Sequence, residues 1–78
     1  MYRSMALPPH PALGALAHLM LSPGGERLVA FWSSGALTMW KPGQTSFERV
    51  LELYPRAPEH ASLFRYEDDI YLICSTPG

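Results

Sequence analysis

The segment "TSFERVLELYP", residues 45–55, decides whether this chain carries a helix. Thr45 and Glu48 have the spacing of a capping box, in which each side chain accepts a hydrogen bond from the other residue's backbone N–H. Phe47, Val50, Leu51 and Tyr54 follow at i, i+3, i+4 and i+7, the positions that share one helix face. Arg49 and Glu52 fall on the opposite side, and Pro55, without an N–H, forbids continuation. The spacing predicts an amphipathic helix over residues 46–54.

The flanking sequence is of another kind. Before the segment, "RLVAFWS" and "ALTMWK" are β-branched and aromatic runs around Ser34 and Gly35, which suits a tight hairpin over residues 27–41. With those two residues as the loop, Trp32 opposes Leu37 and Val29 opposes Trp40. One face then carries Leu28, Ala30, Trp32, Leu37 and Met39, the other Val29, Phe31, Thr38 and Trp40. Both faces are apolar, unlike an antiparallel hairpin with one face in water. Either helices and the N-terminal arm cover the second face, or another chain does.

After the segment, "RAPEHA" reads as a linker and "SLFRYEDDIYLICST" as a second hairpin turning about Asp68 and Asp69. In that register Tyr66 opposes Tyr71 and Phe64 opposes Ile73, while Leu63, Arg65, Leu72 and Cys74 form the other face. Nearer the start, Pro8, Pro9 and Pro11 favour an extended arm over residues 1–11. Residues 12–21 stay open: Leu13, Leu16, Ala17 and Met20 have helical spacing, and Leu16 to Leu21 equally suits a strand feeding the turn "SPGG". The expected fold is α+β, a small antiparallel β-sheet of two hairpins with one amphipathic helix packed on one face. It forms a single small domain over residues 1–78.

One resemblance bears on this. Within "HLMLSPGGERLVAFWSSGALTMW", a strand ending in Ser-Pro, a glycine turn, an apolar strand, a Ser/Gly turn and a strand ending in Trp follow one another. This pattern resembles the central part of a WD-repeat blade over residues 19–40. It departs at Ser34, where an aspartate is usual, at Lys41, where an acidic residue follows the tryptophan, and in the next segment, which reads as a helix. The resemblance implies three consecutive antiparallel strands and extends no further.

Composition bounds the chemistry. A 78-residue chain buries only about 60% of its unfolded surface, so its core is thin and a partner or a second copy is a natural supplement. Cys74 is the single cysteine, which excludes an intrachain disulfide and fits a cytoplasmic setting. A net charge of −1, with basic residues scattered singly, lacks the stripe that direct nucleic-acid binding needs. "ALGALAHLML" is too short to span a bilayer and, with "PPHP" before it and His18 inside it, is unlike a signal-peptide core.

No catalytic, metal or cofactor site is expected. Cys74 could act as a nucleophile with His10, His18 or His60 as base, but it lies in the middle of an apolar strand, away from any loop or helix N-terminus that would activate a thiol, so a structural thiol is the better reading. The histidines share no metal-ligand spacing. Glu67, Asp68 and Asp69, with Tyr66 and Tyr71 beneath them, form an acidic aromatic tip suited to docking on a basic surface of a partner. Val29, Phe31, Trp32 and Trp40 are the candidates for a dimer or partner interface.

The function expected from this is that of a non-enzymatic protein-binding module, a small inhibitor or regulator that occludes a surface of a larger protein. In size, lack of motifs and α+β build the chain is similar to inhibitors encoded by phages and mobile elements, anti-CRISPR proteins among them. The alternative is a small structural or assembly subunit acting through self-association, with a homodimer as its form.

Overall fold

The computed structural model describes Leu7, residues 12–52 and residues 55–75. Six strands follow one another: β1 (Leu16–Leu21), β2 (Leu28–Trp32), β3 (Ala36–Trp40), β4 (Arg49–Glu52), β5 (Ala61–Tyr66) and β6 (Asp69–Cys74). The first four form an antiparallel sheet in the order β1-β2-β3-β4, and the last two form a separate hairpin. The described residues contain no helix, so the fold is all-β and the α+β expectation is corrected. Of the residues earlier than 12, only Leu7, half-exposed, is described, and the expected proline-rich arm otherwise lies outside the described residues.

The helix expected over residues 46–54 is instead β4, paired with β3 from Ala36↔Glu52 to Met39↔Arg49; Leu53 and Tyr54 lie outside the described residues. Two physical effects override the local pattern. A helix this short is marginal in water by itself, whereas the free edge of β3 offers a row of backbone groups that need partners. Phe47 and Leu51, an i, i+4 pair, are also drawn to opposite faces of the sheet. Phe47 packs against Trp40 with ring centroids 5.1 Å apart and edge-on to Trp32 at 6.3 Å, while Leu51 joins the cluster on the far side. No helix can split such a pair. Glu48, freed from capping, donates its backbone N–H to Met39 O at 2.7 Å, and its carboxylate takes both ends of the Arg27 fork at 2.9 and 3.1 Å.

Residues 16–21, open between helix and strand in the sequence, form β1. With β2 and β3 it supplies the three consecutive antiparallel strands that the blade resemblance implies, and β4 completes a four-stranded meander, the form of one propeller blade. A bulge at Ala17 separates the pairs Leu16↔Trp32 and His18↔Phe31.

The β2–β3 register differs by one residue from that of a two-residue loop. Leu28 opposes Trp40 and Phe31 opposes Leu37, which leaves Ser33, Ser34 and Gly35 as the connection. Gly35, at φ 90°, donates its N–H to Trp32 O at 2.8 Å. That is the left-handed residue following a tight turn in a three-residue hairpin loop, and its strain-free occupant is glycine. A shift of one residue exchanges faces. Both tryptophans therefore share a face with Ala30 and Ala36, covered by Leu13 and Phe47, and the Trp32 indole N–H donates to Thr38 Oγ1 at 2.9 Å.

Val29, Phe31 and Leu37 line the opposite face, and the β5–β6 hairpin covers it with Ala61, Leu63 and Leu72. Each apolar face of the β2–β3 hairpin is thus covered by another part of the same chain. His18 ties the layers together: its Nε2–H donates to Pro58 O at 2.7 Å, and its ring stands edge-on to Phe31 at 6.3 Å.

Candidate functional site

The β5–β6 hairpin is held at both ends. At its base, Ser75 N donates to His60 O at 3.0 Å and His60 N to Ser75 Oγ at 3.1 Å. At its tip the loop is Glu67–Asp68, because Tyr66 pairs with Asp69. The expected loop was Asp68–Asp69, one residue later. That moves the register by two, and an even shift keeps every side chain on its face. Ala61, Leu63 and Leu72 face the sheet, while Phe64, Tyr66, Tyr71 and Ile73 face away from it.

The outward face is the largest concentration of uncovered aromatic surface among the described residues. Phe64, Tyr66, Tyr71 and Ile73 are 40%, 62%, 44% and 58% exposed, high values for groups of this size. Phe64 and Tyr71, directly opposite each other, stack at 5.3 Å with their planes 19° apart. Tyr66 lies diagonally beyond Tyr71 and beside Asp69. Stacked rings on paired strands lose little rotamer freedom on binding, which favours them as anchors.

Above this face stands the acidic tip. Glu67 has φ 56°, a left-handed conformation that glycine or asparagine usually occupies in such a turn. Arg65 supports it by donating Nε–H to Glu67 O at 3.1 Å. Glu67, Asp68 and Asp69 are all exposed. Glu67→Gly is expected to stabilise the chain by about 0.5–1 kcal/mol by removing backbone strain, read as a rise of a few degrees in Tm. An unchanged or lower Tm would show that the turn accepts glutamate without strain.

Of the residues singled out in the sequence, the structure brings together Tyr66, Tyr71, Glu67, Asp68 and Asp69 at one end of one hairpin. Val29, Phe31, Trp32 and Trp40 are elsewhere and buried, filling the chain's own two clusters. Phe64 and Ile73 were missing from the sequence-derived site. Their signal was the alternation along the hairpin, which places them on the same face as the tyrosines. Cys74 is half-buried opposite Ala61, and among the described residues no three His, Cys, Asp or Glu side chains are placed to hold a metal ion.

No family model, curated protein or solved structure matches this chain. Its function therefore has to be read from its own surfaces. No helix among the described residues is long and apolar enough to cross a membrane.

Proposed function

We propose that the chain is a non-enzymatic protein-binding module that recognises a larger protein through the outer face of the β5–β6 hairpin. The observation that carries this reading is the exposed set Phe64, Tyr66, Tyr71 and Ile73 beneath three carboxylates. Apolar rings supply the contact that is desolvated, and the rim charges set orientation and speed of encounter with a basic surface. Such a module acts by occlusion, as an inhibitor or regulator, through its exposed rings and the carboxylates beside them. The likeness to small phage and mobile-element inhibitors now rests on size and lack of motifs, because the α+β build it also invoked is absent.

The test is capture of a stoichiometric partner on the wild-type chain, compared with Tyr66→Ser/Ile73→Ser. Both positions are exposed, so Tm is expected to stay within a few degrees while capture is lost. Asp68→Ala/Asp69→Ala is expected to weaken the same complex by about 1 kcal/mol at low salt, mainly through association rate. Normal binding of both variants would remove this face from recognition.

A second reading, self-association, is favoured by a different observation. Leu16, Leu19 and Leu21 on the edge strand β1, and Val50 on β4, are exposed on the face that carries the tryptophans. On this reading light scattering gives a dimer mass that Leu19→Ser/Leu21→Ser reduces to the monomer. A wild-type monomer at high micromolar concentration eliminates it.

A further inference from the structure

The two layers do not close completely on each other. Between them lies a cleft of about 220 Å³, walled by Val29, Leu37 and Met39 of the sheet and by Leu63, Ile70 and Leu72 of the hairpin. Among the described residues its polar lining comes from Ser22 and Arg27. We propose that this cleft binds a small neutral amphiphile, an apolar body ending in one hydrogen-bond acceptor such as a medium-chain alcohol or ketone. The proposal is independent of any protein partner and of the outer face of the hairpin.

Size comes first. A dry cavity of about 150 Å³ lined by aliphatic and aromatic side chains holds benzene, so the present space suits roughly six to nine non-hydrogen atoms. It is smaller than the pockets that take drug-sized ligands. Met39 in the wall is an unbranched, polarizable side chain that adjusts to the shape of an occupant.

Polarity fixes the rest. Ser22 is buried, and its Oγ accepts the backbone N–H of Arg27 at 2.9 Å. The hydroxyl proton remains for donation, so the polar end offers a donor to an acceptor atom. An anionic head is disfavoured because Arg27 is already paired with Glu48, whose carboxylate neutralises the guanidinium and repels a second negative charge. The ligand is therefore neutral at its polar end and apolar along its body.

The test uses methyl-labelled protein observed by two-dimensional NMR during separate titrations with 1-octanol, octanoate and ethylbenzene. Saturable shifts are expected at the Leu37, Leu63 and Leu72 methyls with 1-octanol, and at least tenfold weaker binding with octanoate. Ser22→Ala is expected to weaken 1-octanol about 5-fold and to leave ethylbenzene unchanged. Leu72→Phe, which fills the space, is expected to abolish both, and Leu63→Phe serves if that variant does not fold. The proposal is overturned if no probe saturates, if the shifts fall on the Ile73 methyl of the outer face instead, or if Ser22→Ala affects the alcohol and the hydrocarbon alike.

Discussion

Phe31→Ala is expected to remove most of the stability of the chain. Phe31 is 0% exposed and sits where the two layers meet, in one cluster with Val29 and Leu37 and against the covering hairpin residues Ala61, Leu63 and Leu72. Truncating a buried phenylalanine costs about 3–5 kcal/mol, the lost transfer energy plus the cavity left behind. A chain of this length has roughly 4–12 kcal/mol in total. At about 4–8 °C per kcal/mol, Tm should fall by about 12 °C or more. Because the ring of His18 stands edge-on to Phe31 while its Nε2–H holds Pro58, the hairpin should loosen from the sheet before the sheet melts. Hydrogen exchange is then expected to rise first in β5 and β6. A loss under about 1 kcal/mol, with exchange unchanged in those strands, would show that the hairpin is not anchored through this residue. The experiment also separates core from interface: a Phe31 that served a second copy would leave monomer stability nearly untouched.

Much of this fold was readable, and the exceptions share a cause. The runs "RLVAFWS" and "ALTMWK" and the hairpin expected over residues 63–75 announced strands through β-branched and aromatic residues, and β2, β3, β5 and β6 form there. The observation that both faces of the first hairpin are apolar correctly demanded two covers. What covers them was hidden, because it depends on contacts between residues far apart in sequence: Leu13 and Phe47 on one side, the β5–β6 hairpin on the other. The segment at residues 49–52 failed for the same reason. Its helical spacing is local information, and the unpaired edge of β3 that claims it is not.

The site was legible where an error of register did no harm. Misplacing the second turn by one residue moved the pairing by two, so Tyr66, Tyr71, Phe64 and Ile73 kept their common face. In the first hairpin the loop gained one residue, the pairing moved by one, and the tryptophans came together on a single face. Gly35 carried the information that separates the two cases. A Ser-Ser-Gly loop places its glycine last, where the left-handed residue of a three-residue connection is needed, and Gly35 has φ 90°. The cleft between the layers had no sequence signal at all, since it is a property of how two separately formed sheets fail to mesh.

Gly14→Ala is expected to destabilise the chain by about 2–4 kcal/mol through two additive effects: left-handed strain of roughly 1–2 kcal/mol for any residue with a Cβ, and the loss of a hydrogen bond. Gly14 has φ 87°, and a Cβ built on it would overlap Ser33 Oγ. That oxygen accepts the Ala15 N–H at 2.8 Å, so rotating it away to relieve the overlap breaks the bond. Ser33 Cβ and Ser34 N, each at 3.4 Å from the added carbon, leave little room to yield. The position matters because the chain here is stitched to the first hairpin loop, with Ser33 N donating to Ala15 O at 2.7 Å and Ser34 N to Leu13 O at 3.3 Å. Those bonds hold Leu13 over the Trp32 face, where it is buried. Loosening them should expose the indole, so a red shift in tryptophan emission is expected together with the fall in Tm. A double-mutant cycle apportions the loss: in a Ser33→Gly background the overlap disappears, and Gly14→Ala should then cost only the strain, about 1–2 kcal/mol. If Gly14→Ala costs the same with and without the Ser33 side chain, the overlap is not what the glycine avoids, and its left-handed backbone alone explains why it is there.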